Sequence, residues 1–118
     1  MISLKEALKL DNNGTVELRK ELKEKIKANS HLGAYIEQLT NAELSDEYSG
    51  IPIAIKDNIQ VKNWPITSCS KILQGYVAPY NATVIEKMLS RGLAPFGRTN
   101  MDEFAMGSTT ESSFYGKT

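Results

Sequence analysis

Residues 50–59 read Gly-Ile-Pro-Ile-Ala-Ile-Lys-Asp-Asn-Ile, with isoleucine at positions 51, 53, 55 and 59. This period of two predicts a β-strand with one buried face. The opposite face carries Pro52, Ala54 and Lys56. Because the neighbours of the lysine on that face are small, we expect another element to pack there and Lys56 to be partly buried. The alternation sends Asp57 to the other face, which favours it as a partner of backbone groups rather than of the lysine.

Composition excludes several classes of protein. The chain has 118 residues, 14 basic and 14 acidic side chains and a net charge of zero, so it has no electrostatic field that would attract nucleic acid or an anionic membrane. No apolar run approaches the roughly 20 residues of a membrane-spanning helix, and the first residues do not form a signal peptide. With Cys69 as the only cysteine, no internal disulfide can form, and we expect a soluble protein of the reducing cytoplasm.

The single histidine and the single cysteine make a metal centre an unattractive hypothesis. His31 and Cys69 are far apart in the sequence, and no cluster of carboxylates accompanies either of them at a ligand spacing. His31 lies where a helix is predicted to end, a position at which histidine usually meets the last carbonyl groups or water. We therefore predict no metal ion in this chain.

Two helices are predicted before the strand. Ser3 and Glu6 have the spacing of a capping box, so residues 3–10 are predicted to begin with Ser3 as N-cap. A turn follows, and Thr15 is predicted to cap a longer surface helix over residues 15–28. The charged residues of this helix alternate in sign, which is typical of a face in contact with water.

The chain is predicted to divide near residue 50. Residues 33–37 are predicted to form a short strand, and residues 38–50 form an acidic loop without a basic side chain. We therefore interpret residues 1–49 as an N-terminal helical layer with a short strand and an acidic loop. Residues 50–118 are then the beginning of a second unit, which carries the candidate chemistry.

The second unit has the order strand, helix, strand. Residues 84–91 show an apolar helical face between Thr83, the expected cap, and Gly92, the expected end. Residues 93–97 follow as a short buried strand. A strand, a crossing helix and a second strand predict parallel pairing with a right-handed crossover, and hence an α/β fold.

Smaller features complete the interpretation. Trp64 is predicted to be a core or rim anchor, because large aromatic side chains bury most of their surface. Two short helical turns are predicted at residues 67–73 and 101–104, and their expected caps are Thr67 or Ser68 and Thr99 or Asn100.

Two motifs in a fixed order resemble a known family. Residues 50–58, Gly-Ile-Pro-Ile-Ala-Ile-Lys-Asp-Asn, precede residues 97–108, Gly-Arg-Thr-Asn-Met-Asp-Glu-Phe-Ala-Met-Gly-Ser. Together they resemble the amidase signature enzymes, and the second run is most similar to the glutamine-hydrolysing subunits of tRNA amidotransferases. The resemblance is strong from residue 50 onwards and implies the mixed-sheet core of that family, incomplete in this chain.

The resemblance also implies a catalytic group. Members of the family use a Ser, cis-Ser, Lys triad, and Lys56 matches the lysine that accepts the proton of the attacking serine. The resemblance places Met106, Gly107 and Ser108 along the amide pocket. Ser108, Ser112 and Ser113 do not match the two catalytic serines of the family, so we expect these 118 residues alone to be an inactive fragment.

Partners and cofactors follow from the resemblance alone. It implies glutamine as the substrate, two partner subunits of which one binds tRNA and the other is small, and no direct contact of this segment with nucleic acid or membrane. It implies no cofactor in this chain, with ATP and Mg used by the intact amidotransferase through one of those partners.

Two alternatives remain beside this hypothesis. The chain could belong to another amidase signature hydrolase that acts on small amides or peptides, or to a non-catalytic α/β interaction module. From the residues alone, a lysine at this place is more often a solvated side chain. A lysine amine that serves as a neutral base near pH 7.4 needs a pKa about three units below 10.4, which costs about 4 kcal/mol and requires burial.

Overall fold

The computed structural model of the chain describes residues 2–36 and 47–118. This part contains three α-helices, two β-strands and three short 3-10 turns, which confirms the α/β class. The α-helices are α1 (Leu4–Ala7), α2 (Asn12–Ala28) and α3 (Thr83–Leu89), the strands are β1 (Ile51–Lys56) and β2 (Leu93–Thr99), and the 3-10 turns cover Ser30–Leu32, Lys71–Leu73 and Glu103–Ala105.

The two strands pair in parallel, as the strand–helix–strand order predicts, with α3 in the connection between them. Ile51 lies opposite Leu93 at the start of the ladder, and Lys56 lies opposite Thr99 at its end. Tyr35 adds a single antiparallel bridge to Thr99, so the pairing is mixed. The strand predicted at residues 33–37 is thus reduced to this bridge in its described part, and residue 37 lies outside the described residues.

A bulge interrupts the ladder in the middle of β2. Ile53 pairs with Pro95 and Ile55 pairs with Arg98, so Ala54 alone faces the two residues Phe96 and Gly97. Gly97 has a φ of 77°, the left-handed conformation that glycine adopts without steric cost. A regular strand would send residues 95 and 98 to opposite faces. The extra residue instead places Pro95 and Arg98 on the same face as the isoleucines.

The main core lies on the isoleucine face of the sheet. Ile55 packs there with Ile85 of α3 and with Val61, Trp64 and Ile66 from the connection after β1. Trp64 is fully buried, which confirms its prediction as a core anchor. Its ring meets Tyr48 edge to face at 6.2 Å between centroids. Burial of an aromatic side chain on this scale is worth about 2–3 kcal/mol, so this cluster is what holds α3 under the sheet.

The caps of the N-terminal helices are only partly as predicted. Ser3 and Glu6 form both bonds of the capping box, which confirms that motif. The prediction for α2 is wrong, because the N-cap is Asp11, whose carboxylate accepts the amide of Gly14 at 2.7 Å. Thr15 lies inside the helix and donates its hydroxyl to the Asp11 carbonyl oxygen. The segment predicted as a turn before Thr15 therefore forms the N-cap and the first residues of α2.

One charged residue of α2 is buried, contrary to the prediction of a solvated charged face. The Arg19 guanidinium lies over the Phe96 ring at 5.0 Å from its centroid. It also donates to the carbonyl oxygens of Gly50 and Pro95, at 3.2 and 3.4 Å. Arginine suits this place because its planar head can stack on an aromatic ring while it donates hydrogen bonds from its edge. Arg19 therefore joins α2 to β2 and to Gly50, the residue just before β1.

The other predicted caps are wrong. The N-cap of α3 is Ala82, with Thr83 as the first helical residue, and the turn predicted at residues 67–73 is a 3-10 turn over Lys71–Leu73 after Ser70. Neither has a side-chain cap. The turn near residue 101 is displaced to Glu103–Ala105, with Asp102 before it. Thr83 lies one position inside the helix, the Thr67 hydroxyl donates to Asp57, and the Asn100 side-chain amide donates to the Gly33 carbonyl oxygen.

The acidic loop of residues 38–50 lies mostly outside the described residues, and the boundary between residues 49 and 50 stays a prediction. Within residues 2–36 and 47–118, no helix combines the length and the apolar character needed to cross a membrane.

Candidate active site

Lys56 is the last residue of β1, at the edge of the sheet where the carboxyl ends of parallel strands meet. Such edges are the usual place for ligand sites in α/β folds. The expectation that Lys56 is partly buried is wrong for this chain, because its side chain is exposed and Ala54 beside it is also exposed. Part of this face is covered, because Leu22 and Ile26 of α2 line a cavity together with Pro52, Ala54 and Phe96. Lys56 does not line that cavity, and none of the described residues forms a hydrogen bond or ion pair with its ammonium group.

Asp57 lies on the buried side of the same turn and collects several donors. Its carboxylate accepts the Thr67 hydroxyl at 2.6 Å, the Thr67 amide at 3.2 Å and the Cys69 amide at 3.0 Å. The Asp57 carbonyl oxygen accepts the amide of Ser68. The prediction of Asp57 as a partner of backbone groups is confirmed by these contacts. They tie the residue after Lys56 to the segment around residues 67–69.

Asp57 also has an ionic partner that the sequence did not indicate. Arg98 Nη1 lies 2.5 Å from Asp57 Oδ1 and 2.6 Å from the carbonyl oxygen of Pro65. Both side chains are buried, at 1% and 0% exposure. Burial lowers the pKa of Arg98, and the neighbouring Asp57 charge opposes that shift. The bulge at Gly97 makes this pair possible, because it turns Arg98 to the face that carries Asp57.

Two pairs of left-handed residues face each other next to this network. Ser68 and Cys69 have φ values of 49° and 50°, and Phe104 and Ala105 have φ values of 53° and 60°. The amide of Phe104 donates to the Ser68 carbonyl oxygen at 3.0 Å. Non-glycine residues in this conformation cost free energy and persist only where surrounding contacts hold them, a situation common at functional sites.

Cys69 is fully buried inside the network rather than presented as a nucleophile. Burial raises the pKa of its thiol to about 11. The thiol is therefore protonated at neutral pH, and reactive cysteines require the thiolate. Its sulfur lies 3.4 Å from Asn100 Oδ1.

Asp102 organises the loop that contains the predicted pocket residues. Its carboxylate accepts the amides of Thr109 and Thr110 at 2.9 Å, the amide of Ser112 at 3.1 Å and the Ser112 hydroxyl at 2.9 Å. These bonds, led by that from the Ser112 backbone, lower the pKa of Asp102. Gly107 packs directly on this carboxylate, since a Cβ there would lie 2.5 Å from the Asp102 Cγ atom.

The predicted pocket residues Met106, Gly107 and Ser108 are all exposed on this loop, and Met106 is 83% exposed. They form an outer surface of the described part of the chain. Their assignment to an amide pocket stays a prediction.

The hydroxyl groups of Ser112 and Ser113 form hydrogen bonds within the same loop. Ser112 bonds to Asp102 and accepts the amide of Glu103, and the Ser113 hydroxyl donates to Asn100 Oδ1 at 2.6 Å. Neither hydroxyl bonds to a histidine, and the one histidine, His31, is exposed in the 3-10 turn Ser30–Leu32. Across the described ranges no group of three potential metal ligands comes together.

The family model for amidases matches residues 15–118. The chain belongs to the amidase family. The A subunit of glutamyl-tRNA(Gln) amidotransferase from Campylobacter fetus subsp. fetus is 80% identical over all 118 residues, which cover 26% of that protein. The crystal structure of the corresponding protein from Thermotoga maritima matches with a TM-score of 0.82 and 35% identity, over 98% of this chain and 26% of the other.

A solved structure of lower sequence identity has the same fold in this region. A serine-to-alanine variant of Kluyveromyces lactis allophanate hydrolase matches with a TM-score of 0.72 and 26% identity, over 99% of this chain and 22% of the other. The chain thus spans about a quarter of the length of the curated relatives it matches. The resemblance to the amidase signature enzymes is confirmed.

Two residues of the site had no clear signal in the sequence. Arg98 follows a glycine in a short apolar strand, and only that Gly97 hinted at an irregularity. Asp102 lies within the turn predicted at residues 101–104, and nothing in that prediction indicated that its carboxylate would accept the amides of Thr109, Thr110 and Ser112. Contacts between residues this far apart depend on how the loop closes.

Proposed function

We propose that this chain supplies the lysine-bearing part of the subunit that hydrolyses glutamine in a glutamyl-tRNA(Gln) amidotransferase. The observation that carries the proposal is the 80% identity to the Campylobacter fetus A subunit over the whole chain. Lys56 lies at the carboxyl end of β1 in this region, the place where an α/β sheet presents reactive groups.

In this proposal Lys56 accepts the proton of a serine that attacks the glutamine amide. Nucleophilic catalysis of this kind needs a base within hydrogen-bond reach of the serine. The exposed face of Lys56 and Ala54 is the side on which such a partner would approach. That cover would also supply the burial that a neutral lysine amine requires. Met106, Gly107 and Ser108 are proposed as the wall of the amide pocket.

The proposal includes partners and a location. The ammonia released converts Glu-tRNA(Gln) to Gln-tRNA(Gln) in a cytoplasmic complex with two further subunits, one that binds tRNA and one that is small. One of these partners uses ATP and Mg, and this chain holds no cofactor. The absence of net charge supports the assignment of tRNA binding to another part of the complex.

The test is a grafted subunit, defined as the Campylobacter fetus protein in which this chain replaces the matching 118 residues, assembled with the other subunits of that complex. We expect Lys56→Ala to lower glutamine-dependent amidation of Glu-tRNA(Gln) at least about 10³-fold, because a catalytic base contributes about 10²–10⁴-fold and the serine would also lack activation. Amidation with added ammonia should stay within about twofold.

Lys62→Ala is the matched control, since Lys62 is an exposed lysine six residues further along. It should leave both reactions unchanged. Glutamine-dependent activity that survives Lys56→Ala would overturn the proposal. Hydrolysis of small amides without amidation of tRNA would assign the chain to another amidase.

A further inference from the structure

We infer that the buried Arg98–Asp57 pair compensates charge beside Lys56 and thereby allows the lysine to act as a base. The inference deepens the proposed function and rests on it. Lys56 and Asp57 are consecutive residues, so their Cα atoms are about 3.8 Å apart. The Asp57 carboxylate lies on the opposite face of the strand and does not touch the ammonium group, but a buried negative charge acts over such a distance, so it favours the protonated form of the lysine and opposes its use as a base. Arg98 supplies the opposite charge.

The geometry places the two charges of the pair almost together. Arg98 Nη1 lies 2.5 Å from Asp57 Oδ1, and both side chains are buried on the side of the sheet away from the exposed Lys56 side chain. The two opposite charges therefore lie in nearly the same direction from Lys56, and their electrostatic potentials at its ammonium group largely cancel. Buried charges are poorly screened by salt, so removal of either one alone leaves a field that reaches Lys56.

The structure contains a feature that a simple structural ion pair does not need. The bulge at Gly97 turns Arg98 inward, and Arg98 Nε then has no hydrogen-bond partner among the described residues. An apolar residue at position 98 would avoid that cost, because a buried ion pair often contributes less stability than apolar side chains of similar volume. Asp57 bonds three backbone amides through its carboxylate and carbonyl oxygens, and a carboxylate in that position next to Lys56 needs a counter-charge.

Other titratable groups lie on the segments next to the end of β1. Tyr35 bridges to Thr99, the register partner of Lys56, and burial raises its pKa, as it does for Cys69. Both are therefore neutral at pH 7. Asp102 and Glu103 follow β2, and Tyr115 is within hydrogen-bond distance of Thr67 in the Asp57 network. None of them changes in the variants below, so their contributions are common to every protein compared.

The experiment is a double-mutant cycle on the pH dependence of glutamine-dependent kcat/KM in the grafted subunit. The acid limb of this profile reports the group that must lose its proton in the free enzyme. Arg98→Gln leaves Asp57 uncompensated, so the limb should move to higher pH by about 0.5–1 unit. Asp57→Asn leaves Arg98 uncompensated, so the limb should move to lower pH by a similar amount. The double variant should return to within about 0.2 unit of the parent.

Opposite shifts that cancel in the double variant cannot arise from a structural role, which would lower the rate without moving the limb. An unmoved limb, or shifts of the same sign in both single variants, overturns the inference. A folded fraction that is constant across the pH range scales the whole profile and leaves its midpoint in place, so the folded fraction of each variant is measured at every pH and the rates are divided by it.

Two variants keep the test decisive if a single substitution abolishes folding. Arg98→Lys retains the positive charge, and the double variant leaves no buried charge unpaired. In both variants the acid limb of the kcat/KM profile should lie at the same pH as in the parent. A limb that is displaced in either variant overturns the inference. Lys56→Ala distinguishes the two hypotheses. If that variant is active, the proposed function fails; if it is inactive and the cycle shows no shifts, only the charge compensation fails.

Discussion

At the scale of single residues, Gly107 shows how tightly the loop after β2 is built. A Cβ at this position would lie 2.5–2.8 Å from the carboxylate atoms of Asp102. The carboxylate cannot swing away freely, because three backbone amides and the Ser112 hydroxyl donate to it. Glycine is therefore required here by space and not by backbone conformation.

We predict that Gly107→Ala loosens this loop. To admit the methyl group, the Asp102 carboxylate must give up hydrogen bonds from Thr109, Thr110 and Ser112, and these amides should exchange with solvent roughly tenfold faster or more. The measurement is hydrogen exchange of the grafted subunit by mass spectrometry. Ser108→Ala, at an exposed neighbouring position, is the control and should leave exchange unchanged. Equal protection in both variants would contradict the prediction.

At the scale of elements, the bulge in β2 decides which side chains share a face. Without the extra residue, Arg98 would point to the side of the sheet that carries Lys56, and Asp57 would have no ionic partner. Gly97 combines a φ of 77° with close contact to Tyr35, whose ring carbons lie 3.0 Å from where a Cβ would be. The bulge, the ion pair and the Tyr35 bridge therefore depend on one glycine.

We predict that Gly97→Ala destabilises the grafted subunit by about 2–4 kcal/mol, the sum of left-handed strain and crowding against Tyr35. Gly92→Ala is the matched control, because Gly92 has a similar φ of 73° with open space around it. The control should cost only about 1–2 kcal/mol. Urea unfolding of both variants gives the comparison, and equal losses would show that the contact with Tyr35 carries no weight.

At the scale of the whole molecule, the described part leaves much apolar surface uncovered. Ile72 is 79% exposed, Tyr80 61% and Met106 83%, and β1 and β2 are the only strands that the described ranges contain. Open sheet edges and apolar patches of this kind favour association with other chains. In addition, no serine hydroxyl within these ranges contacts Lys56.

We predict that the purified 118-residue chain hydrolyses no glutamine and self-associates. The first result follows because Lys56 has no serine partner among the described residues, and the second from the exposed apolar surface. Ammonia release and light scattering after gel filtration test the two statements. Glutaminase activity that Lys56→Ala abolishes would contradict the first. A monomer with a sharp cooperative thermal transition would contradict the second.

Features that depend on local pattern could be predicted from the order of residues alone. Alternating isoleucines gave β1, the helix between two apolar strands gave the parallel pairing, Ser3 and Glu6 gave the capping box, and the two ordered motifs gave the family. The pairing of distant polar groups could not be predicted in this way, because it depends on the tertiary structure. A one-residue bulge reverses the face of Arg98, and loop closure brings Asp102 to amides up to ten residues away. The exposure of Lys56 depends on what covers its face, and the alternation of a strand specifies a face without specifying its neighbour.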